Sequence, residues 1–334
     1  METITVSFPG LGIGDFQLNK IAFTLFGKIE VRWYGIIITA GIILAVLYCA
    51  YRSAEVGISK DNLLDMALYT VIFGVIGARL YYVLMTIGTY KYSSLYDVIA
   101  IWEGGLAIYG GIIGGALTIV VYCRHKKISF LRAFDMAAPA VMIGQIMGRW
   151  GNFFNGEAYG YEVAQGSPLY FMRMGLIPNI NSSVRMDYFH PTFLYESVWN
   201  LIGFLLINAL FRKRKFDGQV ALMYFTWYGF GRMWIEGLRT DSLYLGVFRV
   251  SQVVGFLCFV LGGILLTVGL VNAHRRAAAG EIYEPCYAKC TGKMSIVKKT
   301  EESKKEIGIE ASENTDKSSV KTNNMEEQQD GKAD

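Results

Sequence analysis

The sequence predicts an all-α integral membrane protein, a seven-helix transmembrane bundle with a small extracytoplasmic cap. Three observations lead to this fold class. Of the 334 residues, 53% are hydrophobic and only 18% are charged, which is less charge than a soluble chain of this length carries. Apolar runs near the ~20 residues that a helix needs to cross a bilayer recur along most of the chain. Charged residues are dense only after Ala273.

The transmembrane elements begin close to the N-terminus. This end has no basic segment and no small-residue cleavage site, so we expect no removable signal peptide and an uncleaved first span. The predicted spans are residues 33–51, 63–87, 105–123, 135–154, 193–211, 219–236 and 248–271.

Basic residues concentrate in every second connection, beginning with the one after the first span. Because cytoplasmic loops carry an excess of lysine and arginine, this pattern predicts an N-terminus outside and a C-terminus in the cytoplasm. The basic residues are Arg52 and Lys60, then Arg124, Lys126, Lys127 and Arg132, then Arg212, Lys213, Arg214 and Lys215, and finally His274, Arg275 and Arg276.

Two segments lie outside the spans. The longest connection, about residues 156–191, is long enough to form a small folded cap over the outer surface. Residues 273–334 become polar and charged and have few large apolar side chains, so we predict a disordered cytoplasmic tail. The sequence therefore divides into a transmembrane domain, residues 1–272, and this tail.

The cysteines predict no disulfide framework. Cys49, Cys123 and Cys258 lie in or at the ends of apolar runs, where a small buried side chain is the ordinary role. Cys286 and Cys290 in the tail could bind a metal, but the spacing lacks a second ligand pair. We expect neither a metal nor an organic cofactor.

The predicted topology places a set of ionisable and polar residues of the spans on the outer side of the membrane midplane. An arginine within a span costs at least ~2.5 kcal/mol at the bilayer centre, so such groups normally face a cavity or the bundle interior. Tyr34, beside Trp33, could instead be an ordinary interface anchor. The outer-level residues are Tyr34, Arg79, Glu103, Gly104, Gly105, Tyr109, Gln145, Arg149, Asn152, Asn155, Glu157, Tyr228, Arg232, Glu236 and Arg239.

Helical spacing arranges these residues in two polar stripes. Gln145, Arg149 and Asn152 are separated by four and three residues and therefore share one face of the fourth span. The polar residues of the sixth span follow the same spacing. A purely structural role is the alternative, since Arg232 and Glu236 could be an i,i+4 pair that links helices.

Glycines form a second signal in the third span, which contains the run GGLAIYGGIIGG. Gly114 and Gly115 are typical of close helix packing in membranes. Gly104 and Gly105 lie at the outer mouth of this span, beside Glu103, and are better candidates for lining a headgroup site.

The run GRWGNFFNGEAYG, residues 148–160, is the third signal. An arginine offers forked donors that suit phosphate oxygens, and asparagines can bond ester or hydroxyl oxygens. With the two stripes, this run favours an enzyme that acts on a charged lipid headgroup.

The same run closely resembles the signature of the bacterial prolipoprotein diacylglyceryl transferases. The matching positions are Arg149, Gly151, Asn152, Asn155, Glu157 and Gly160. Four further stretches agree in order: WYG at 33–35, WEGGLAIYGG at 102–111, HPTFLYE at 190–196 and YGFGRMWIE at 228–236. The resemblance covers about residues 20–272 and leaves out the tail.

The resemblance implies a transferase of the bacterial cell membrane, with residues 1–272 as its catalytic domain. Such an enzyme moves the diacylglyceryl group of phosphatidylglycerol to the thiol of the lipobox cysteine in a preprolipoprotein signal peptide. Glycerol phosphate leaves, and lipoprotein maturation begins. We do not expect a nucleic acid as a partner. The functional positions of the family carry onto Tyr34, Arg149, Asn152, Glu157, Tyr228, Arg232, Glu236 and Arg239.

The residues fit this chemistry. We expect Arg149 and Arg232 to hold the phosphate and to stabilise the charge that grows on the leaving oxygen. Together with Tyr109 and Glu157 they are the predicted catalytic residues. The predicted substrate-binding residues are Arg149, Asn152, Tyr34, Gly104, Gly105, Tyr228, Glu236 and Arg239.

The base that takes the thiol proton stays open: it is Tyr109, His190 or another residue. A free cysteine has a pKa of about 8.5, and a tyrosine of pKa ~10 is a poor base unless nearby arginines lower that pKa. The family often has a histidine where this chain has Tyr109. His190 is the one histidine that the predicted topology places outside.

Two other functional classes compete with this interpretation. A transporter or channel for an anionic solute would also place arginines in a cavity. Transport needs a path to both faces, however, and the inner halves of the spans carry no comparable polar stripe. A binding or assembly subunit without chemistry of its own would tolerate the loss of Asn152 or Glu157 without losing an activity.

Overall fold

The computed structural model describes residues 3–90, 92–177, 187–281 and 283. Each predicted span corresponds to a long helix whose ends differ from the predicted ones by up to seven residues, and one short helix precedes the third span. The helices are α1 Trp33–Arg52, α2 Lys60–Thr86, α3 Leu95–Ile99, α4 Ile108–His125, α5 Phe130–Asn155, α6 Thr192–Leu210, α7 Gln219–Ile235 and α8 Val250–Ala278.

Six of the described helices are long and apolar enough to cross a membrane, which confirms a helical membrane protein. Helix α7 is shorter, with 17 residues, but a 3-10 helix at Glu236–Leu238 continues it. At ~1.5 Å per α-helical residue and ~2.0 Å per 3-10 residue, the combined element rises about 31 Å, close to the ~30 Å of a bilayer core.

Helix α8 continues to Ala278, beyond the predicted start of the tail at residue 273. Residues 279–281 and 283 follow this helix, and the other tail residues, with Cys286 and Cys290, lie outside the described residues. The prediction of a disordered tail therefore stays a prediction.

The structure also contains strands that the sequence analysis does not predict. A four-stranded antiparallel sheet has the order β2-β1-β5-β6, and two hairpins, β3-β4 and β7-β8, flank the helices. The strands are β1 Thr3–Phe8, β2 Ile13–Asn19, β3 Ile21–Leu25, β4 Ile29–Arg32, β5 Met174–Ile177, β6 Asp187–Phe189, β7 Tyr244–Leu245 and β8 Phe248–Arg249. The expected cap segment, residues 156–191, supplies β5 and β6, while the N-terminal residues supply β1 and β2.

The sheet packs on the end of the bundle where α5 ends and α6 begins. Ile4 and Val6 of β1 pack in one buried cluster with Phe153 of α5 and Phe193 of α6. The rings of Phe153 and Phe193 are stacked, with centroids 4.5 Å apart. We call this end of the bundle the sheet end.

Helices α2 and α4 run antiparallel, since Gly110 lies against Gly77 and Gly115 against Thr70. Small residues set close crossings, as between α2 and α4, where a Cβ on Gly114 would lie 2.6 Å from the carbonyl oxygen of Phe73. The predicted packing role of Gly114 is therefore confirmed. At the opposite end of the bundle, buried Asp135 of α5 accepts hydrogen bonds from the backbone of Gly218 and Ala221 at the start of α7. Because a helix N-terminus has unpaired N–H groups, this carboxylate caps α7 and holds it against α5.

Candidate active site

Helices α5 and α6 meet in a register that brings their polar residues together. Near the middle of the crossing, a Cβ on Gly203 would lie 2.6 Å from Met142. Two turns towards the sheet end, Nη2 of Arg149 donates to Oε1 of Glu196 at 2.9 Å. Because α5 and α6 run antiparallel, residues between 142 and 149 of α5 face residues between 203 and 196 of α6.

Glu196 is the centre of the site and is only 3% exposed. Its Oε1 accepts from Arg149, and its Oε2 accepts from Nη1 of Arg232 at 2.9 Å. Nη1 of Arg239 lies 4.0 Å from the same Oε2. One buried carboxylate on α6 therefore gathers arginines from α5, from α7 and from the segment after α7. We call these four residues the Glu196 cluster.

Two more carboxylates balance the remaining positive charge. Oε2 of Glu236, which is 1% exposed, lies 2.6 Å from Nη2 of Arg232. Asp241 accepts two hydrogen bonds from Arg239, at 2.9 and 2.7 Å. Burial alone would raise the pKa of Asp241, but the bonds and positive charge of Arg239 hold that pKa below its usual range. Arg149, with 18% of its side chain exposed, is the most accessible of the three arginines.

The signature run places its amides beside Arg149. Oδ1 of Asn152 accepts from Nη1 of Arg149 at 3.2 Å, and Nδ2 of Asn152 donates to Oε1 of Glu157 at 2.9 Å. Asn155 donates to the same Glu157 oxygen at 3.2 Å. Gly151 lies against the ring of Tyr34, where a Cβ would come within 2.9 Å. The predicted residues of α1 and α5 are thus neighbours.

Two predicted tyrosines lie on other helices of the site. The ring of Tyr228 stacks on that of Tyr224 on α7, with centroids 5.7 Å apart. The hydroxyl of Tyr109 on α4 is 2.9 Å from Oγ of Ser251 on α8. Tyr109 is also close enough to Arg232 to interact with it electrostatically. The structure therefore brings Tyr109 towards the cluster.

Gly104 and Gly105 have different neighbours. Both adopt positive φ angles, 94° and 72°, and their carbonyl oxygens accept from Nη1 of Arg79 at 2.6 and 3.1 Å. A Cβ on Gly105 would also lie 2.6 Å from the ring of Tyr82. The contacts described for these glycines are with α2, so their role in lining a headgroup site stays a prediction. Arg79 itself holds this loop.

His190 is buried where β6 leads into α6. Its Nδ1 is 3.3 Å from the hydroxyl of Tyr195, and its Cβ packs against Gly160. Burial lowers the pKa of His190, which keeps the ring neutral at neutral pH. Gly160 in turn forms an antiparallel bridge with Arg239, so this corner ties the end of the signature run to the end of α7.

Three residues of the site are absent from the sequence predictions: Glu196, Asp241 and Ser251. Glu196 had a detectable signal, because it is the one charged residue between Thr192 and Leu210. A charge inside an otherwise apolar span is a functional candidate by itself. Asp241 and Ser251 lie near helix ends, where polar residues are ordinary, and nothing in the sequence distinguishes them.

The described residues contain no group of three or more histidines, cysteines, aspartates or glutamates arranged to hold a metal ion. Cys123 is buried, and Cys49 and Cys258 are half-buried free thiols. The site therefore consists of arginines, carboxylates, amides and hydroxyls.

Comparison with known proteins gives one family. The family model for prolipoprotein diacylglyceryl transferase matches residues 20–268. A protein of Listeria innocua is 40% identical over 267 residues, which cover 79% of this chain and 93% of that protein. A Lysinibacillus sphaericus protein is 44% identical over 74% of this chain and 90% of its own. A Streptococcus equi subsp. zooepidemicus protein is 44% identical over residues that cover 75% of this chain and 95% of that protein. All three are named phosphatidylglycerol–prolipoprotein diacylglyceryl transferase.

Proposed function

Because this chain belongs to the prolipoprotein diacylglyceryl transferase family, we propose that it catalyses the first step of lipoprotein maturation. It transfers the diacylglyceryl group of phosphatidylglycerol to the lipobox cysteine thiol of a preprolipoprotein. Glycerol phosphate is released. Membership of this family favours a transferase over an anion transporter or channel, and over a subunit without chemistry.

The Glu196 cluster is the observation that carries this proposal. Three arginines from three parts of the chain lie around one buried carboxylate, so their guanidinium planes are held before substrate arrives. The carboxylates nearby already balance their charge. A phosphate must therefore use the N–H groups that the carboxylates leave free, and Arg149 is the most accessible of the three.

The reaction is a displacement at carbon. The thiolate sulfur gives an electron pair to the glyceryl carbon that carries the phosphate ester. The carbon–oxygen bond breaks, and its electron pair stays on the phosphate oxygen. Arg149 and Arg232 stabilise the negative charge that grows on that oxygen, which lowers the barrier. The products are a thioether-linked diacylglyceryl cysteine and glycerol phosphate.

Tyr109 is the better of the two candidates for the thiol proton. It is near Arg232, one of the two arginines proposed to hold the phosphate, so it lies close to the reacting atoms. Ser251 orients its hydroxyl. His190 is neutral and thus chemically competent, but the contacts described for it are with Tyr195 and Gly160.

The other predicted residues complete the site around the headgroup. Glu157 holds Asn152, and Asn152 in turn orients Arg149. Tyr34 lies over Gly151 and covers this part of α5. Tyr228, Glu236 and Arg239 surround the same region from α7 and beyond it.

We also propose that the sheet end faces outside and that the opposite end is cytoplasmic. The basic residues at the ends of α1, α4, α6 and α8 lie at the opposite end, in agreement with an excess of positive charge inside. Residues 1–272 then form the catalytic domain and residues 273–334 the cytoplasmic tail.

The test uses purified protein, phosphatidylglycerol and a lipobox peptide. We expect release of glycerol phosphate and a thioether-linked lipid on the peptide cysteine. Arg149→Ala should abolish both, and Arg149→Lys should reduce the rate by roughly 100-fold or more, because lysine keeps the charge but loses the forked contacts to Asn152 and Glu196. Arg124→Lys, at an exposed position of α4, is the control and should keep the wild-type rate. A folded wild-type protein that never modifies the peptide would refute the proposed activity.

A further inference from the structure

A layer of neutral polar side chains lies one helical turn deeper than the Glu196 cluster. Asn200 follows Glu196 by four residues on α6, and Gln145 precedes Arg149 by four on α5. Because the two helices are antiparallel and the contacts Arg149–Glu196 and Met142–Gly203 lie on either side, Gln145 and Asn200 face each other.

These two amides have hydrogen-bonding atoms without partners. Asn200 is 0% exposed, and neither its Oδ1 nor its Nδ2 has a partner among the described residues. Gln145 donates from Nε2 to the hydroxyl of Tyr224 at 2.9 Å, but its Oε1 has no partner there. Buried polar groups are nearly always paired in folded proteins, so such a group points to a ligand or an ordered water. We call Gln145, Asn200 and Tyr224 the amide layer.

Another asparagine on the same helix shows what a structural role looks like. Asn208, two turns beyond Asn200, accepts hydrogen bonds from Tyr48 at 3.0 Å and from Arg52 at 2.5 Å. Its side chain joins α6 to α1 without any additional molecule. Asn200 makes no such link among the described residues, although it is more deeply buried.

We propose that the amide layer binds the hydroxyl groups of the glycerol that leaves with the phosphate. This inference rests on the proposed function. A hydroxyl both donates and accepts, and the free atoms of the layer include one donor and two acceptors. The layer offers no carboxylate to a cationic headgroup, and the arginines above it repel one. It therefore selects a neutral, hydroxylated headgroup.

The dimensions agree with this assignment. Four residues of helix rise ~6 Å, which separates the amide layer from the Glu196 cluster. Four bonds of about 1.5 Å join the phosphate ester oxygen of the headgroup to its terminal hydroxyl and reach about 5 Å when extended, and a hydrogen bond of about 2.8 Å covers the rest. A phosphate held by Arg149 and Arg232 thus places the terminal hydroxyl at the level of Asn200.

The test compares two lipids that differ only in these hydroxyls. Phosphatidylpropanol has a three-carbon headgroup like that of phosphatidylglycerol but carries no hydroxyl groups. We expect wild-type kcat/KM to favour phosphatidylglycerol by roughly 10-fold or more, since a net hydrogen bond is worth about 0.5–1.5 kcal/mol and 1.4 kcal/mol is tenfold. Asn200→Leu should remove most of this preference by lowering the rate with phosphatidylglycerol, while the rate with phosphatidylpropanol stays near its wild-type value.

Other outcomes overturn the assignment. If Asn200→Leu lowers the rate equally with both lipids, the amide layer binds an ordered water or serves in packing. If Asn200→Leu keeps the wild-type preference for phosphatidylglycerol, the hydroxyls bind elsewhere. A wild-type protein that does not discriminate between the lipids would also contradict it. Asn208→Leu is the matched control, and it should lower stability without changing the ratio. If Asn200→Leu does not fold, Gln145→Met is measured in the same way, with the same expectation.

Failure of the proposed function would look different, because the wild-type protein would then modify the peptide with neither lipid. In that case the binding of the two lipids to the wild-type protein is compared directly. Equal affinities would overturn the inference, and tighter binding of phosphatidylglycerol that Asn200→Leu abolishes would support it.

Discussion

At the scale of single residues, Glu196 sets the positions of the three arginines at this site. Its two carboxylate oxygens divide between Arg149 and Arg232, with Arg239 at the edge of contact range. Without this negative charge, three guanidinium groups would remain close together in a largely buried region. Removing one partner of a buried ionic group usually costs far more than breaking a surface ion pair.

We therefore expect Glu196→Gln to lower the free energy of unfolding by about 3–5 kcal/mol and to abolish transfer. The amide keeps the shape but cannot balance the arginines. Thermal unfolding in detergent and the transfer assay measure the two effects. Asp241→Asn is the control for stability, since Asp241 also pairs with Arg239 but is about half exposed, and it should cost less than ~1 kcal/mol. Similar costs for the two variants would contradict this account.

The stability of the protein should depend on pH through His190, and the direction of this dependence follows from its burial. Burial holds its pKa below the value of about 6.5 expected in the unfolded chain, so the unfolded state binds a proton before the native state does. The contribution of neutral His190 to the free energy of unfolding is fully present above about pH 6.5. It is lost as the pH falls from that value towards the lower pKa of His190 in the native state.

We expect the melting temperature of the wild-type protein to fall between pH 7.5 and pH 5, and Asn at position 190 to reduce that fall. The comparison of wild type with His190→Asn removes the contribution of carboxylates that both proteins share. Parallel curves for the two proteins would show that burial of His190 does not affect stability in this range. Transfer by His190→Asn at neutral pH also tests its role as a base, and retained activity would leave Tyr109 as the candidate.

The residues that sequence alone could identify are those that share a helix. Spacing placed Arg149 beside Asn152 and Arg232 beside Glu236, and the structure has both contacts. Contacts between helices depend on their relative register, which no local pattern encodes. For this reason the sequence did not show that Glu196 joins the two stripes, although a lone charge in an apolar span made it a functional candidate.

Among the elements, the crossing of α6 and α7 depends on a pair of tryptophans. The rings of Trp199 and Trp227 stack with centroids 4.3 Å apart, and each indole N–H donates to the backbone carbonyl of the other residue. Glycines make room for them, since a Cβ on Gly231 would lie 2.1 Å from Nε1 of Trp199. This crossing fixes the distance between Glu196 on α6 and Arg232 on α7.

We expect Gly231→Ala to cost roughly 1–3 kcal/mol of stability through overpacking and to reduce transfer, because the tryptophans must shift and move Arg232 away from Glu196. Gly144→Ala on α5 is the matched control. A Cβ there meets nothing within 4 Å, so alanine should stabilise the helix by up to ~1 kcal/mol. An active and stable Gly231→Ala protein would show that the crossing tolerates a wider separation.

The helices were predictable from sequence and the strands were not, for a physical reason. A membrane helix satisfies its own backbone hydrogen bonds, so a continuous apolar run near 20 residues is enough to identify it. The strands are two to seven residues long, and β1 pairs with β5, far along the chain. Their stability comes from that distant pairing and from the buried cluster over Phe153 and Phe193.

At the scale of the whole molecule, the sheet end and the basic end give the proposed orientation a direct test. In a cysteine-free variant, single cysteines replace Glu162, in the connection near the sheet, and Lys127, at the basic end of α4. We expect a membrane-impermeant maleimide to label Glu162→Cys in intact cells and Lys127→Cys only after the membrane is permeabilised. The reverse labelling pattern would invert the orientation.

The pairing of β1 with β5 has a consequence for biogenesis. Thr5 and Ser7 of β1 pair with Ile177 and Gly175 of β5, but the ribosome makes α1, α2, α4 and α5 before it reaches β5. During that time the edge of β1 that later pairs with β5 is open, and open strand edges are sites of mispairing. The sheet beside the candidate active site is therefore completed late in synthesis, only after the segment that follows α5 has been translated and has paired with β1. A nascent chain that stalls just after residue 160 carries all of the signature run but no finished sheet.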